Sequence, residues 1–401
     1  MALKTGRGAA APPFLVMDVI ASANALQAAL PQGAPHVIHM EVGQPATGAP
    51  AGAVAAAQSA LQAGLPMGYT EAFGRPSLRA RIARHYGDWY GLDLPPHRVA
   101  VTVGASGAFP LAFLAGFDPG DRIAMAAPFY PPYVNILTAL GMRPVILDTG
   151  PETRFQPSVA LLEQLDELPD GLIVASPCNP AGTMLSAAEL ADIARWCDAH
   201  GVRLISDEIY HGLTYDAAPA TPFSGLATAA EFSPSAIVIN SFSKYFSMTG
   251  WRIGWMVLPE DLLRPVECLA QNMAISAPHI SQIAAEAAFD CHEVLQANVA
   301  QYRRSRDLFL TALPEAGFAR LAPAQGAFYV WADISDRTND SREFCRHMLA
   351  ETGIAASPGV DFDRTRGGRF LRFSYCGAEA DMADAAERLK RWRRPELDDF
   401  R

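Results

Sequence analysis

No two cysteines of this chain stand in a CxxC pair; the six lie singly at positions 178, 197, 268, 291, 345 and 376. That argues against a zinc ribbon or a dithiol redox motif. The nine histidines show no HExxH or other ligand spacing, so no metal site is expected. Charge is sparse, at 18% of the residues, and basic charge is the minority. The 32 Lys and Arg against 42 Asp and Glu leave a formal net charge of −10. A nucleic-acid binder normally presents a basic face, so no such partner is expected. No run approaches the ~20 apolar residues that span a bilayer, and no block of like charge is long enough to act as a tail. Lys4 and Arg7 precede an apolar patch, and Ala21-Ser22-Ala23 has the small residues of a cleavage site. Pro12, Pro13 and Asp18 interrupt that patch, which argues against a secretory leader. Unpaired thiols fit a reducing compartment. The expectation is a soluble, cytoplasmic protein without a membrane partner.

What is present is a long, half-hydrophobic chain of 401 residues, enough for two or three domains. Between about 99 and 258, short apolar runs alternate with helical patterns. The runs are 99–103, 122–126, 144–147, 171–175, 202–206, 236–240 and 253–258. Their length and β-branched content predict buried strands, and the alternation predicts a largely parallel sheet with helices on both faces. One helix is marked at both ends. Ser186 and Glu189 form a capping box, Leu190, Ile193, Ala194 and Cys197 give one apolar face, and Gly201 can stop it. Beyond about 280 the pattern turns to long helices and then to a shorter α+β stretch. The expected organisation is an N-terminal segment, 1–44, packing with a small C-terminal domain, 281–401, around a large domain, 45–280.

Ligands of open α/β sheets bind beyond the carboxyl ends of the strands. Four polar segments fall there: Gly104-Ala105-Ser106-Gly107, Asn179-Pro180, Asp207-Glu208 and Ser241-Phe242-Ser243-Lys244. Each has a plain structural reading when taken alone. The first is a tight connection, the second a turn, Asp207 a helix cap, Tyr210 a packed side chain and Lys244 a solvated lysine. A small-residue turn leading into a helix also offers free N–H groups and a positive dipole end to a phosphate.

Together these segments resemble a known family. The stretch Ser241-Phe-Ser-Lys-Tyr-Phe-Ser-Met-Thr-Gly-Trp-Arg-Ile-Gly-Trp255 is similar to the lysine signature of class I/II aminotransferases, the fold-type I enzymes that use pyridoxal 5′-phosphate. Ser176-Pro-Cys-Asn-Pro-Ala-Gly182 and Ser206-Asp-Glu-Ile-Tyr210 look like two further hallmark segments, in the family's order. Weaker matches run from Gly43-Gln44-Pro45 and Tyr69-Thr70 through Gly326-Ala-Phe-Tyr329 to Arg372-Phe-Ser374. Nearly the whole chain is covered.

The resemblance implies a mostly parallel central sheet with a smaller α+β domain, and a role for each matched residue. Lys244 would hold the cofactor as a Schiff base and then move a proton as base and acid. A neighbouring cation such as Arg252 would disfavour its ammonium form. Asp207 would keep the pyridine nitrogen protonated. Asn179 and Tyr210 would donate to the ring hydroxyl oxygen, and Tyr130 would stack on the ring. Ala105, Ser106, Ser241, Ser243 and Arg252 would cup the phosphate, with Tyr69 reaching the phosphate of a neighbouring subunit in a homodimer. Arg372 would grip the substrate α-carboxylate, with Gly43 close by. The turn Ser357-Pro-Gly-Val-Asp-Phe-Asp363 ends in Asp363 where glycine is frequent.

The implied reaction is ping-pong transfer of an amino group from an L-amino acid to a 2-oxo acid. Other reactions on the same scaffold stay open at this point: a β-lyase, a decarboxylase or a cyclase of the aminocyclopropane type. Acyl-CoA condensation fits the Met-Thr-Gly-Trp-Arg segment less well. A regulator would need a DNA-binding module ahead of residue 40. No basic residue matches a second carboxylate site, and Pro13-Phe-Leu-Val-Met17, expected over the site, is apolar. Neutral, apolar or aromatic donors are therefore expected over aspartate, with pyruvate or 2-oxoglutarate as acceptor.

Overall fold

A computed structural model describes residues 3–215 and 226–392. Its large sheet has seven strands: β1 (Val99–Thr102), β2 (Arg122–Ala127), β3 (Arg143–Asp148), β4 (Gly171–Ala175), β5 (Arg203–Asp207), β6 (Ile237–Ser241) and β7 (Gly254–Val257). Their spatial order is β1-β7-β6-β5-β4-β2-β3. Strands β6, β5, β4, β2 and β3 run parallel, while β7 is antiparallel to both β6 and β1. The expected strands differ from these by at most one residue at either end.

Alternation within each strand explains why both faces are covered. In β6, Ile237 and Ile239 join the buried cluster that holds Phe109 and Phe113, while Val238 joins the opposite cluster with Leu204 and Trp255. Strand β4 divides the same way, with Ile173 on one side and Leu172 and Val174 on the other. A sheet buried on both faces needs such a two-sided apolar supply.

The helices used below are α1 (Leu15–Ala29), α2 (Gly104–Gly116), α3 (Pro131–Leu140), α4 (Ala187–His200) and α5 (His292–Glu315). The ends of α4 follow from its sequence. Ser186 Oγ accepts from Glu189 N at 3.2 Å, Glu189 Oε2 accepts from Ser186 N at 2.7 Å, and Gly201 closes the helix at φ 69. Among the described residues no helix is long and apolar enough to cross a membrane.

A second sheet has four strands, β8 (Arg320–Leu321), β9 (Tyr329–Asp333), β10 (Ser357–Pro358) and β11 (Phe370–Ser374), in the order β10-β11-β9-β8. All its pairings are antiparallel, and Trp331 of β9 stacks on Phe370 of β11 at 5.1 Å. The chain ahead of the large sheet reaches this region too. Ile38–His39 pairs in parallel with Ile354–Ala355, and Met40 O accepts from Ser374 N at 2.8 Å.

Candidate active site

A cavity of about 650 Å³ opens at the carboxyl edge of the large sheet, within the size range of small-molecule sites. Strand β5 ends on Asp207 and β6 on Ser241, and the loops that follow supply Tyr210, Ser243 and Lys244. Asn179 comes from the loop after β4, Ala105 and Ser106 from the first turn of α2, and Tyr130 from the loop after β2. Arg372 enters from β11 and Gly43 from the segment ahead of the large sheet. Twelve of the thirteen residues expected from the sequence thus line one cavity. The exception is Tyr69, which is 82% exposed and lies outside it.

The two titratable groups at the centre are both displaced by burial. Burial pushes the Asp207 carboxyl up to about 6, even though Tyr133 Oη donates to Oδ2 and Ile209 N donates to Oδ1 at 3.1 Å. Such a group gains from a cationic partner. Burial likewise lowers Lys244 to about 8. Arg372 and then Arg252 push the same way, so the cationic-neighbour effect expected from the sequence is present but secondary to desolvation. The Lys244 ammonium donates to Gly43 O at 2.6 Å. A lysine poised near neutrality is suited to attack a carbonyl carbon and to move protons.

An anion cradle sits beside them. Gly104 opens α2 at φ +65, and a Cβ there would stand 2.7 Å from Arg252 Nη2. Gly254 is needed for a related reason, because its Cβ would lie 2.9 Å from Ala105 N. The two glycines let the Arg252 guanidinium and the helix N-terminus come together. Arg252 itself holds φ 52, a left-handed conformation that costs a non-glycine residue on the order of 1 kcal/mol. Its Nη2 donates to Ser106 Oγ at 3.4 Å and its Nη1 to Thr249 O at 2.9 Å. Ser241 Oγ donates to Ser243 Oγ at 2.9 Å and accepts from Ser243 N at 3.1 Å. Free helix N–H groups, hydroxyls and a guanidinium are the donor set of a phosphate site.

At the opposite wall Arg372 is 2% exposed. It donates to Asn179 Oδ1 at 2.6 Å, to Ser357 Oγ at 3.0 Å and to Glu41 O, and it lies 4.3 Å from the Tyr329 ring centroid. Tyr329 Oη also bonds Tyr210 Oη at 2.7 Å. A side chain on Gly43 would overlap that Tyr329 hydroxyl, which makes glycine the residue that fits there. Two participants had no assigned role in the sequence reading. Tyr133 holds Asp207, and Tyr329 lies against both Tyr210 and Arg372. The cavity's remaining wall is apolar and includes Phe14, Val16 and Met17, with the Phe14 ring edge-on to Tyr130 at 5.9 Å.

Comparison with known proteins gives the family. The family described as "Aminotransferase class I and II" matches residues 35–389. The chain belongs to this aminotransferase family. It is similar to a valine–pyruvate aminotransferase of Mycobacterium tuberculosis, 48% identical over 96% of this chain and 97% of that protein. Among solved structures it resembles an aminotransferase from Mycobacterium tuberculosis, with a TM-score of 0.93 and 47% identity over 98% of this chain and 99% of the other. It also resembles the aspartate aminotransferase of Thermus thermophilus with maleate, with a TM-score of 0.88 and 30% identity over 98% and 100% of the two chains. This aminotransferase is therefore an enzyme that transfers amino groups, and it has the α/β architecture of fold-type I.

Enzymes of this family depend on pyridoxal 5′-phosphate, and the donor set here fits that group. A desolvated carboxylate without a cationic hydrogen-bond partner suits a protonated ring nitrogen, the lowered lysine suits the aldehyde, and the glycine-opened cradle suits the phosphate.

Proposed function

We propose that this aminotransferase works with pyridoxal 5′-phosphate at the carboxyl edge of the large sheet and prefers neutral, apolar amino donors. One observation carries the donor preference. Four charged residues line the cavity: Asp207, Lys244, Arg252 and Arg372. The three cations all have work in this reading, at the reacting carbon, the phosphate and the substrate α-carboxylate. Among the described residues that line the cavity none is left for a side-chain carboxylate, which would be desolvated against Phe14, Val16 and Tyr130 without a partner. The likeness to a valine–pyruvate aminotransferase supports the same class of donor.

The cofactor, when bound, supplies an electron sink next to the substrate α-carbon. The chain's residues do the rest. Asp207, held by Tyr133, keeps a proton on the ring nitrogen, and Asn179 and Tyr210 donate toward the ring hydroxyl oxygen. Arg252, Ser106, Ala105 N–H, Ser241 and Ser243 hold the phosphate, and Tyr130 covers the ring. Arg372 grips the α-carboxylate with its paired nitrogens and so orients the α-carbon toward Lys244 Nζ, which removes the proton there and returns it. The donor leaves as a 2-oxo acid before pyruvate or 2-oxoglutarate enters, the ping-pong order.

Tyr69, exposed and outside its own cavity, is proposed to reach the phosphate site of a second copy in a homodimer. The cytoplasm is the proposed compartment, supported by the free state of all six cysteines. The deciding measurement is kcat/KM for valine, methionine, alanine, phenylalanine and aspartate with pyruvate as acceptor. At least one apolar donor should exceed aspartate by about tenfold or more. Aspartate ahead by that margin would overturn the donor assignment.

A further inference from the structure

The turn between β10 and β11 carries two carboxylates, Asp361 and Asp363, and both have work. Asp363, where glycine is frequent, accepts from Thr365 N at 2.9 Å, Arg366 N at 2.8 Å and Arg366 Nε at 3.0 Å. It fixes the turn locally. Asp361 reaches further. It is 6% exposed, and its two oxygens accept from the first two N–H groups of α1, Leu15 N at 3.1 Å and Val16 N at 3.2 Å. Helix α1 has no cap of its own, because the residue before it is Phe14 and offers no side-chain acceptor. Asp361 supplies the missing cap from 345 residues away.

What that cap holds is the apolar wall of the cavity. Phe14, Val16 and Met17 all lie within one turn of it. The same turn also touches both of the wall's neighbours. Phe362 lies under the Arg372 guanidinium at 4.6 Å, and its carbonyl accepts from Phe129 N at 3.0 Å, next to Tyr130. A second, weaker tie runs from Arg364 to Asn135 Oδ1 at 2.7 Å and from Asn135 to Pro12 O at 3.5 Å. We propose that Asp361 is a positioning residue for donor selectivity: it sets where Phe14, Val16 and Met17 stand relative to the Arg372 grip, and hence which donor side chains are held. The inference rests on the apolar-donor reading above, and it deepens that reading by naming the remote group that controls it.

The consequence is specific to donor size. A methyl group as in alanine reaches the wall least, and the side chains of valine and methionine reach it most. In the holoenzyme, Asp361→Ala should raise KM for valine and methionine about tenfold, leave kcat within about twofold, and leave alanine's constants within about twofold. Asp361→Asn keeps one acceptor oxygen and should fall between variant and wild type. Amide hydrogen exchange at Leu15 and Val16 should quicken about tenfold or more in Asp361→Ala. Adding Phe14→Ala and Met17→Ala should abolish the further effect of Asp361→Ala on valine.

Equal losses for alanine and methionine would overturn the inference, since a general loss of fold or of the arginine grip would produce them. Unchanged exchange at Leu15 and Val16 would also overturn it. If wild type proves to prefer aspartate, the donor reading falls on its own. The exchange experiment then still decides whether Asp361 holds the helix.

Discussion

The edge that carries Asp207, Asn179 and Lys244 and the wall that carries Phe14, Val16 and Met17 face the same cavity, yet they are held in different ways. The edge is the end of a sheet covered on both faces. Its side chains are fixed by strand register and by short polar contacts such as Tyr133 to Asp207. The wall is the first turn of α1, a helix that packs against β10, and it is pinned through one carboxylate, Asp361, and a longer tie through Asn135. Met17 remains 58% exposed. Chemistry common to a whole family can sit on the rigid edge, while selectivity can change at the wall without disturbing it.

Substitutions at the edge should then cost orders of magnitude for every donor, and substitutions at the wall should cost little and discriminate. Lys244→Ala should lower kcat by at least about 10⁴-fold, with borohydride no longer fixing cofactor to the chain, read by intact mass. Asp207→Asn should cost about 10³-fold in kcat, roughly 4 kcal/mol, with the fold preserved because the change is nearly isosteric. A value within tenfold of wild type would mean that the ring nitrogen lies elsewhere.

The Lys244 amine itself can be titrated in cofactor-free protein. Its value is lowered to about 8, so the neutral amine, the reactive form, is half populated near that pH and declines below it. Its acylation at pH 8 should run roughly tenfold faster than that of an ordinary lysine, because the larger neutral fraction is partly offset by the weaker nucleophilicity of a less basic amine. Tyr133→Phe should cost about tenfold in kcat for all donors. It removes a donor to the Asp207 carboxylate, so the carboxyl value should rise from about 6 and the acid limb of the pH profile should move upward. The smallest effect belongs to the wall. Phe14→Ala should change the valine-to-alanine ratio of kcat/KM by roughly threefold to tenfold while leaving alanine near wild type. A uniform loss across donors would erase the contrast between edge and wall.

The edge was legible in the sequence because its strands are contiguous apolar runs that stop at polar residues. A run such as 202–206 followed by Asp207 announces both a buried strand and where its end opens. The capping box at Ser186 and Glu189 was legible for a similar reason, since donor and acceptor lie three residues apart. The antiparallel direction of β7 was not, because an apolar run carries no sign of its direction. Tyr133 was missed since a tyrosine after two prolines at a helix start reads as packing. The service of Asp361 to α1 spans 345 residues and leaves no local mark. Contacts of that kind depend on how the second sheet lands on the first, which no periodicity records.

Because β7 runs back alongside β6, the loop carrying Lys244 and Arg252 closes over a short stretch of chain. Ser241 Oγ reaches Ile253 O across 12 residues, whereas Arg372 reaches Asn179 across 193. Closing the longer loop costs about 2.5 kcal/mol more in chain entropy. During synthesis the short reversal is complete once β7 has emerged, at a time when β9 and β11 have yet to be added. The order of folding thus follows the order of function: the lysine loop can close as a local unit, its cradle is completed where Arg252 meets the earlier α2 across 146 residues, and the grip on the substrate carboxylate is the last part of the site to be assembled.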